Sequence, residues 1–174
     1  YAGPPGAIPR WQKPLKEKLV AKRVKEIKQK KGIACVSCIP AHAEKFAKYA
    51  VSAGADMFVI QSTVTTLKHV ATQYKSLDLA KFIKNVKIPV ILGNCVTYET
   101  TLELMETNPA GLLIGVGPGA ACTTRGVLGI GVPQVTATVD AAAARDFHFK
   151  RSGRYVPIIT DGGMNRGGDI CKAF

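Results

Sequence analysis

An α/β fold with a parallel sheet is the fold class that this sequence predicts. Five short, nearly continuous apolar runs alternate with segments of helical periodicity, which is typical of parallel strands covered by helices. Four of the predicted strands are each followed by a polar residue with a possible function. These residues are Gln61, Asn94, Cys122 and Asp161. No G-x-G-x-x-G fingerprint opens a helix after the first strand. The pattern therefore favours a fragment of a (β/α)8 barrel over a doubly wound sheet, whose site lies at one switch point.

The elements follow from the apolar runs and from the breaks between them. The predicted strands are residues 33–38, 56–60, 88–92, 111–114 and 155–160. The predicted helices are residues 41–52, a stretch broken around 73–76, residues 97–106, residues 133–144, and a helix that starts near 166. Five strands cannot close an eight-stranded barrel. We therefore expect residues 1–174 to be a partial barrel domain from a longer polypeptide, with its repeated βα units over 32–174.

A strongly basic segment precedes the first predicted strand. The formal net charge is +12, and residues 1–31 carry ten lysines or arginines and only two glutamates. A basic segment of this kind can bind nucleic acid. Here, however, the apolar residues recur at helical spacing, and Trp11 is the only aromatic residue among the charged ones. We predict an irregular loop over 1–13 and a basic amphipathic helix with a solvated face over 14–31. No nucleic-acid partner is expected.

The cysteines and histidines give no sign of a disulfide or metal framework. The five cysteines are at positions 35, 38, 95, 122 and 171, and single thiols in an α/β chain are typical of the cytosol. Cys35 and Cys38 match C-x-x-C, but they lie in a predicted strand without a second pair at zinc spacing. His42, His69 and His148 are scattered and are expected to be exposed or partly buried. With no apolar run of roughly 18 residues and no signal-peptide pattern, a cytoplasmic protein without a membrane partner is predicted.

Cys122 lies in a glycine-rich loop between a predicted strand and a helical pattern. The loop reads G-V-G-P-G-A-A-C-T-T-R from Gly115 to Arg125. Its glycines let amides and carbonyls converge on a ligand or ion, and nearby amides favour a nucleophilic thiolate. The residues alone leave open a Gly/Pro-rich turn with an incidental thiol. Arg125 is expected either to order this loop or to pair with an acid at the surface.

This loop and the segments around it resemble the IMP dehydrogenase/GMP reductase family. The family's loop reads G-x-G-P-G-S-x-C-T-T-R and is followed by G-V-G-x-P-Q, which G-I-G-V-P-Q matches closely here. The run R-Y-V-P-I-I-T-D-G-G-M resembles the family's next strand and phosphate loop, and V-I-Q-S-T-V and L-G-N-C-V-T are in register. The whole chain is similar to the shorter, single-domain branch called IMP dehydrogenase family protein. The resemblance implies that the five strands are about the third to the seventh of a TIM barrel.

The resemblance implies a purine-nucleotide oxidoreductase whose nucleophile is Cys122. IMP, NAD⁺ and H₂O would give XMP and NADH through a covalent thioimidate at C2 of the purine, a step of guanine nucleotide biosynthesis. A thiolate suits this chemistry because it both attacks and leaves readily. Thr124 matches the threonine that handles the proton of water or ammonia. The backbone carbonyls of Gly117, Gly119 and Cys122 match the ligands of a monovalent cation, usually K⁺.

Five positions match substrate-binding residues of the family. Asp161 matches the aspartate that receives the ribose hydroxyls, and Asn94 matches an asparagine near the reacting base. Gly162 and Gly163 would offer amides to the phosphate, assisted by the helix that follows. Ala120 stands where the family usually has a serine that contacts the phosphate. One hydrogen bond to a charged group, worth about 1.5–3 kcal/mol, is therefore expected to be missing.

Four positions match residues beside the redox cofactor, and they leave the direction of reaction open. Gly115, Val116 and Gly117 match the backbone run along the nicotinamide, whereas Gln61 stands where dehydrogenases commonly have an aspartate. The alternatives are a GMP reductase, which converts GMP and NADPH to IMP and NH₃, and a catalytically impaired purine-nucleotide-binding homologue. The cofactor is thus NAD, or NADP for a reductase. The family also implies a homo-oligomer, a tetramer or octamer, and a water-activating Arg/Tyr flap beyond residue 174, without which residues 1–174 alone are expected to be inactive.

Overall fold

The computed structural model describes residues 16–67 and 76–174. Its elements in chain order are α1 (Glu17–Gln29), β1 (Cys35–Cys38), α2 (Ala43–Ser52), β2 (Met57–Gln61), α3 (Leu79–Asn85), β3 (Val90–Cys95), α4 (Tyr98–Met105), β4 (Gly111–Ile114), α5 (Thr124–Leu128), α6 (Gln134–Ser152), β5 (Ile158–Thr160) and α7 (Gly167–Ala173). The predicted loop over 1–13, His69 and most of the predicted helix break at 73–76 lie outside the described residues.

The five strands form one parallel sheet in the order β1-β2-β3-β4-β5. Each strand pairs with the strand that precedes it in the chain, and helices lie in each connection. Consecutive βα units of a barrel have this order, whereas a doubly wound sheet reverses direction at a switch point. The predicted α/β class and the parallel sheet are confirmed.

The hydrophobic core lies between one face of this sheet and the helices. Phe58, Leu92 and Leu112 are fully buried strand residues that belong to the core. The helices contribute Phe46, Ala47, Phe82, Leu104, Ala137 and Ala141. Residues at alternate strand positions are less buried, and Ile159 is 40% exposed. Because side chains alternate across a strand, this asymmetry shows that the helices cover one face, as they do outside a barrel.

The strand β5 is shorter than predicted, with three residues where six were expected. Pro157 lies within the predicted run and has no amide hydrogen to donate to a neighbouring strand. The Pro157 carbonyl still accepts the Leu112 amide at 3.0 Å. Because Pro157 itself has no N–H to donate, the regular strand begins only at Ile158.

The helix α6 is longer than predicted and continues to Ser152, where Gly153 ends it with φ +71°. The added turns bury His148, which is 3% exposed, so the expected exposed or partly buried position of this histidine was wrong. Periodicity missed this because charged and aromatic residues surround it in sequence. The short helix α5 was not predicted.

The helix α1 lies within the segment predicted as a basic amphipathic helix. Val24 is buried against the rest of the protein, whereas most of its lysines are exposed. The Lys28 ammonium contacts the Asp56 carboxylate at 2.8 Å, and Asp56 also accepts the Ala34 amide at 2.7 Å. These two donors lower the pKa of Asp56, and they hold α1 against the start of the sheet. Of the helices in the described ranges, none is both long and apolar enough to cross a membrane.

Candidate functional site

The carboxyl ends of the strands meet around one open pocket. Its volume is about 490 Å³, and it lies at the edge where a parallel sheet of this class places its functional residues. Gln61, Asn94, Cys122 and Asp161, which the sequence placed after successive strands, all line this pocket. The structure thus brings together side chains that are up to 100 positions apart in the chain.

An amide–carboxylate network of Gln61, Asn94 and Asp161 forms one wall of the pocket. Nε2 of Gln61 donates to Oδ1 of Asn94 at 2.8 Å and to Oδ2 of Asp161 at 3.1 Å. Nδ2 of Asn94 donates to the same Oδ2 at 2.8 Å. Gln61 ends β2, Asn94 is the next-to-last residue of β3, and Asp161 follows β5. Gln61 is aligned with Gly93, the residue before Asn94. The network therefore joins three strand ends through side chains alone.

Cys122 faces the same pocket from the glycine-rich loop and is exposed. Its Sγ lies 3.2 Å from Oγ1 of Thr124, so the thiol can donate to this hydroxyl, and the hydroxyl can donate to the thiolate. Hydrogen bonds from the side chain and the backbone of Thr124 lower the pKa of Cys122, and the positive charge of Arg125 lowers it further. The loop thus favours the nucleophilic form of this thiol.

Arg125 orders the loop, which is one of the two roles expected for it. Its Nε donates to the carbonyl of Val116 at 3.1 Å, and its Nη2 donates to the carbonyl of Val132. The guanidinium therefore joins the start of the loop to the segment that leads into α6.

Two glycines mark close approaches between the cysteine loop and the end of β5. Gly115 has φ +137°, and a Cβ atom there would lie 2.6 Å from the carbonyl oxygen of Asp161. Gly163 has φ +80°, and its Cβ would lie 3.0 Å from Cβ of Pro118. Side chains at these two positions would force apart the nucleophile's loop and the loop after Asp161, which is why glycine is required.

Comparisons with known proteins agree with these observations. Residues 12–174 match the family described as IMP dehydrogenase / GMP reductase domain. The chain belongs to this family. It is 37% identical over 163 residues to an uncharacterized oxidoreductase of Mycolicibacterium smegmatis, covering 92% of this chain and 44% of that protein. It is 40% identical over 132 residues to an inosine-5'-monophosphate dehydrogenase of Cryptosporidium parvum, covering 74% and 29%.

A solved structure shows the same architecture. The IMP dehydrogenase/GMP reductase-like protein of Corynebacterium glutamicum superposes with a TM-score of 0.84 at 35% identity, covering 93% of this chain and 42% of that one. The chain thus spans less than half the length of these relatives. The predicted fold class, a fragment of a TIM barrel, is confirmed.

Most of the residues that the family resemblance singled out line the pocket. In addition to the residues already described, these are Gly115, Val116, Gly117, Gly119, Thr124 and Gly162. Ala120 is exposed and is not among the lining residues, and neither is Gly163. Their assignment to phosphate binding stays a prediction.

The assistance expected from the helix after Gly163 is limited in this chain. The Asp169 carboxylate accepts the amides of Asn165 and Arg166, each at 3.1 Å. These two amides, which precede α7, are therefore already occupied, and the group that occupies them is a carboxylate in the first turn of the helix. A phosphate at this position would depend on the amides of the glycines themselves.

The cation expected at Gly117, Gly119 and Cys122 fits the structure only in part. The Gly119 carbonyl accepts the Cys122 amide at 3.0 Å, and a single loop offers three carbonyls. Hard cations in proteins collect about six or more oxygen ligands, so the described residues do not complete such a site. Within those residues, side chains of His, Cys, Asp and Glu form no metal-binding cluster either.

Sequence reasoning missed several residues of the pocket. They are Ser37, Cys38, Ile39, Ser62, Thr63 and Pro118. Most of them end or follow β1 and β2, so the rule that pointed to Gln61 also applied to them. Burial raises the pKa of Cys38 to about 11, so this second thiol in the pocket stays protonated, whereas the pKa of Cys122 is lowered.

Proposed function

We propose that the full-length protein is an IMP dehydrogenase that converts IMP, NAD⁺ and H₂O to XMP and NADH. The observation that carries this proposal is the position of Cys122. Its thiol is paired with Thr124 and faces the amide–carboxylate network within one pocket. An activated nucleophile opposite hydroxyl-binding groups suits covalent catalysis on a nucleotide.

The nucleotide would bind between the two sides of the pocket. The Asp161 carboxylate accepts the ribose hydroxyls, while the backbone of Gly162 faces the phosphate and Asn94 lies toward the base. A volume of about 490 Å³ is within the range of roughly 300–1,000 Å³ that small-molecule sites occupy. Size and donor set therefore both support a purine nucleotide.

In the first step the Cys122 thiolate attacks C2 of the purine and the S–C2 bond forms. A bound NAD⁺ would supply the acceptor for the hydrogen of C2 and its electron pair, which would oxidise C2 and give NADH. The pocket wall of Gly115, Val116 and Gly117 lies beside Cys122, and its small side chains fit a flat nicotinamide ring there. The residues present thus fit the cofactor.

In the second step water adds to C2 of the thioimidate, the S–C2 bond breaks and XMP leaves. The Thr124 hydroxyl lies 3.2 Å from Sγ and is placed to pass on the proton of water. The departing sulfur returns as a thiolate, and the lowered pKa of Cys122 favours this leaving group.

A GMP reductase is the second candidate, because Gln61 leaves the direction of the reaction open. A neutral amide occupies the position where dehydrogenases commonly have an aspartate, and both reactions share the covalent step at C2. A third candidate, a purine-nucleotide-binding homologue with little turnover, is suggested by Ala120. The implied homo-oligomer, a tetramer or octamer, and a cytoplasmic location also belong to the proposal.

The full-length protein should be incubated with IMP and NAD⁺, and separately with GMP and NADPH. NADH formation in the first mixture, lost in Cys122→Ala and retained in Cys35→Ala, supports the dehydrogenase. Cys35 is the matched control because it is exposed at the start of β1 and does not line the pocket. Turnover only in the second mixture assigns the reductase, and IMP binding without turnover in either mixture assigns the impaired homologue.

A further inference from the structure

Both N–H groups of the Gln61 side chain are engaged within the site. A glutamine amide has two N–H groups, and Nε2 of Gln61 donates to Asn94 at 2.8 Å and to Asp161 at 3.1 Å. Neither hydrogen is left for a cofactor. An aspartate at this position has no N–H to donate, so this use of Nε2 is specific to the glutamine of this chain.

Both amides of the network donate to the same oxygen of Asp161. Nε2 of Gln61 and Nδ2 of Asn94 donate to Oδ2, at 3.1 and 2.8 Å, while Oδ1 accepts from none of the described residues. Two donors on one oxygen fix the plane of the carboxylate, since a single bond would leave it free to rotate. The other oxygen then points toward the pocket, which Asp161 lines.

The two N–H groups of residue 61 make this geometry, and an acidic residue has neither. An aspartate or glutamate would bring a second carboxylate near Oδ2 of Asp161, and two close carboxylates cannot both be ionised without strong repulsion. Glutamine instead converts that neighbour into a donor. Where the family commonly has an aspartate, which can only accept, this chain has a glutamine that donates a hydrogen bond to Asp161.

We propose that Gln61 is a positioning residue that fixes the Asp161 carboxylate, so that Oδ1 accepts the ribose hydroxyls and ribonucleotides are selected over 2'-deoxyribonucleotides. This inference rests on the proposed function, because it requires a nucleotide in the pocket. It gives Gln61 a role in sugar selectivity. Its effect on the ligand is exerted through Asp161.

The first test compares the affinities of IMP and 2'-deoxy-IMP for the full-length protein and for Gln61→Leu, measured by calorimetry without cofactor. We expect the preference for IMP to fall about tenfold, since one hydrogen bond to a charged group is weakened. An equal loss for both ligands, or no loss, overturns the inference. Gln29→Leu is the control, because Gln29 is exposed on α1, away from the pocket.

The second test uses Gln61→Glu and a pH series. At low pH one proton shared by the two carboxylates lets the introduced carboxyl group donate to Asp161 and replace the glutamine amide. As the pH rises this proton is lost, and repulsion turns the Asp161 carboxylate. The preference for IMP should therefore fall with rising pH in Gln61→Glu and stay level in the wild-type protein. A parallel profile in both proteins contradicts the proposal.

Other titratable or charged groups near the network do not affect the comparison of Gln61→Glu with the wild-type protein. The Cys38 and Cys122 thiols line the pocket, and the Arg125 guanidinium lies behind the cysteine loop. All three are present in the wild-type protein as well, so their titration cancels in the ratio of the two profiles.

The ligand-free protein separates this inference from the proposed function. If the wild-type protein binds neither nucleotide, the proposed function fails. The coupling of Gln61 and Asp161 is then measured by a double-mutant cycle of unfolding with Gln61→Leu and Asp161→Asn. A coupling indistinguishable from zero removes the positioning role as well, whereas a clear coupling retains the contact and rejects only the nucleotide.

Discussion

Replacing Gly115 with alanine should destabilise the protein and distort the site together. The added Cβ would lie 2.6 Å from the Asp161 carbonyl oxygen and 2.7 Å from Oε1 of Gln134. The Gln134 side chain can move, but its Nε2 would then lose the hydrogen bond to the Ile114 carbonyl at 2.6 Å. The Asp161 carbonyl is backbone, so relieving that contact requires the end of β5 to shift.

The size of the effect follows from two contributions. An alanine held at φ +137° is strained by about 1–3 kcal/mol, and forcing an atom into packed surroundings costs about 1–3 kcal/mol more. We expect the free energy of unfolding to fall by about 2–6 kcal/mol. Gly153→Ala is the matched control, because Gly153 has φ +71° but open space around its Cβ position. That substitution should cost about 1–2 kcal/mol.

Chemical denaturation of the full-length protein and of both variants measures this difference. The unfolding midpoint should fall clearly further for Gly115→Ala than for Gly153→Ala, and only Gly115→Ala should weaken nucleotide binding. If the two variants are equally stable, the close approach of the cysteine loop to the end of β5 does not exist in solution.

Three further predictions concern reactivity, pH and the core. Alkylation should modify Cys122 at a lower pH than ordinary thiols, since its pKa is lowered. Cys38, with a pKa of about 11, should stay unmodified under the same conditions, and mass spectrometry of the labelled peptides checks both expectations. Because the folded pKa of Asp56 is lowered, its contribution is present above its unfolded pKa and is lost as the pH falls through the folded value. Asp56→Asn should therefore reduce the loss of stability below about pH 4, as thermal melts at several pH values would show. Leu112→Ala should lower the free energy of unfolding by about 2–5 kcal/mol, since Leu112 is fully buried, and Val127→Ala, at a position 75% exposed, by under about 0.5 kcal/mol.

The elements that were predicted well are those whose signal is local. Strands of four to six residues flanked by polar or glycine positions were located to within about three residues. The errors have specific local causes. The strand β5 is shorter than predicted because of a proline. The helix α6 is longer than predicted, since its last turns contain a buried histidine but are polar and aromatic in sequence.

The sequence by itself determined the fold class, the family and the edge of the sheet where the site lies. Strand order follows chain order in consecutive βα units, so residues after successive strands must share one edge. The tertiary structure alone decided that Gln61 donates to Asp161, that Arg125 secures the loop, and that Gly115 touches the end of β5. These contacts depend on how neighbouring strands are aligned and twisted, and on rotamers selected by packing. A periodic pattern records which face of a strand is buried, but it carries no information about which side chains meet across three strands.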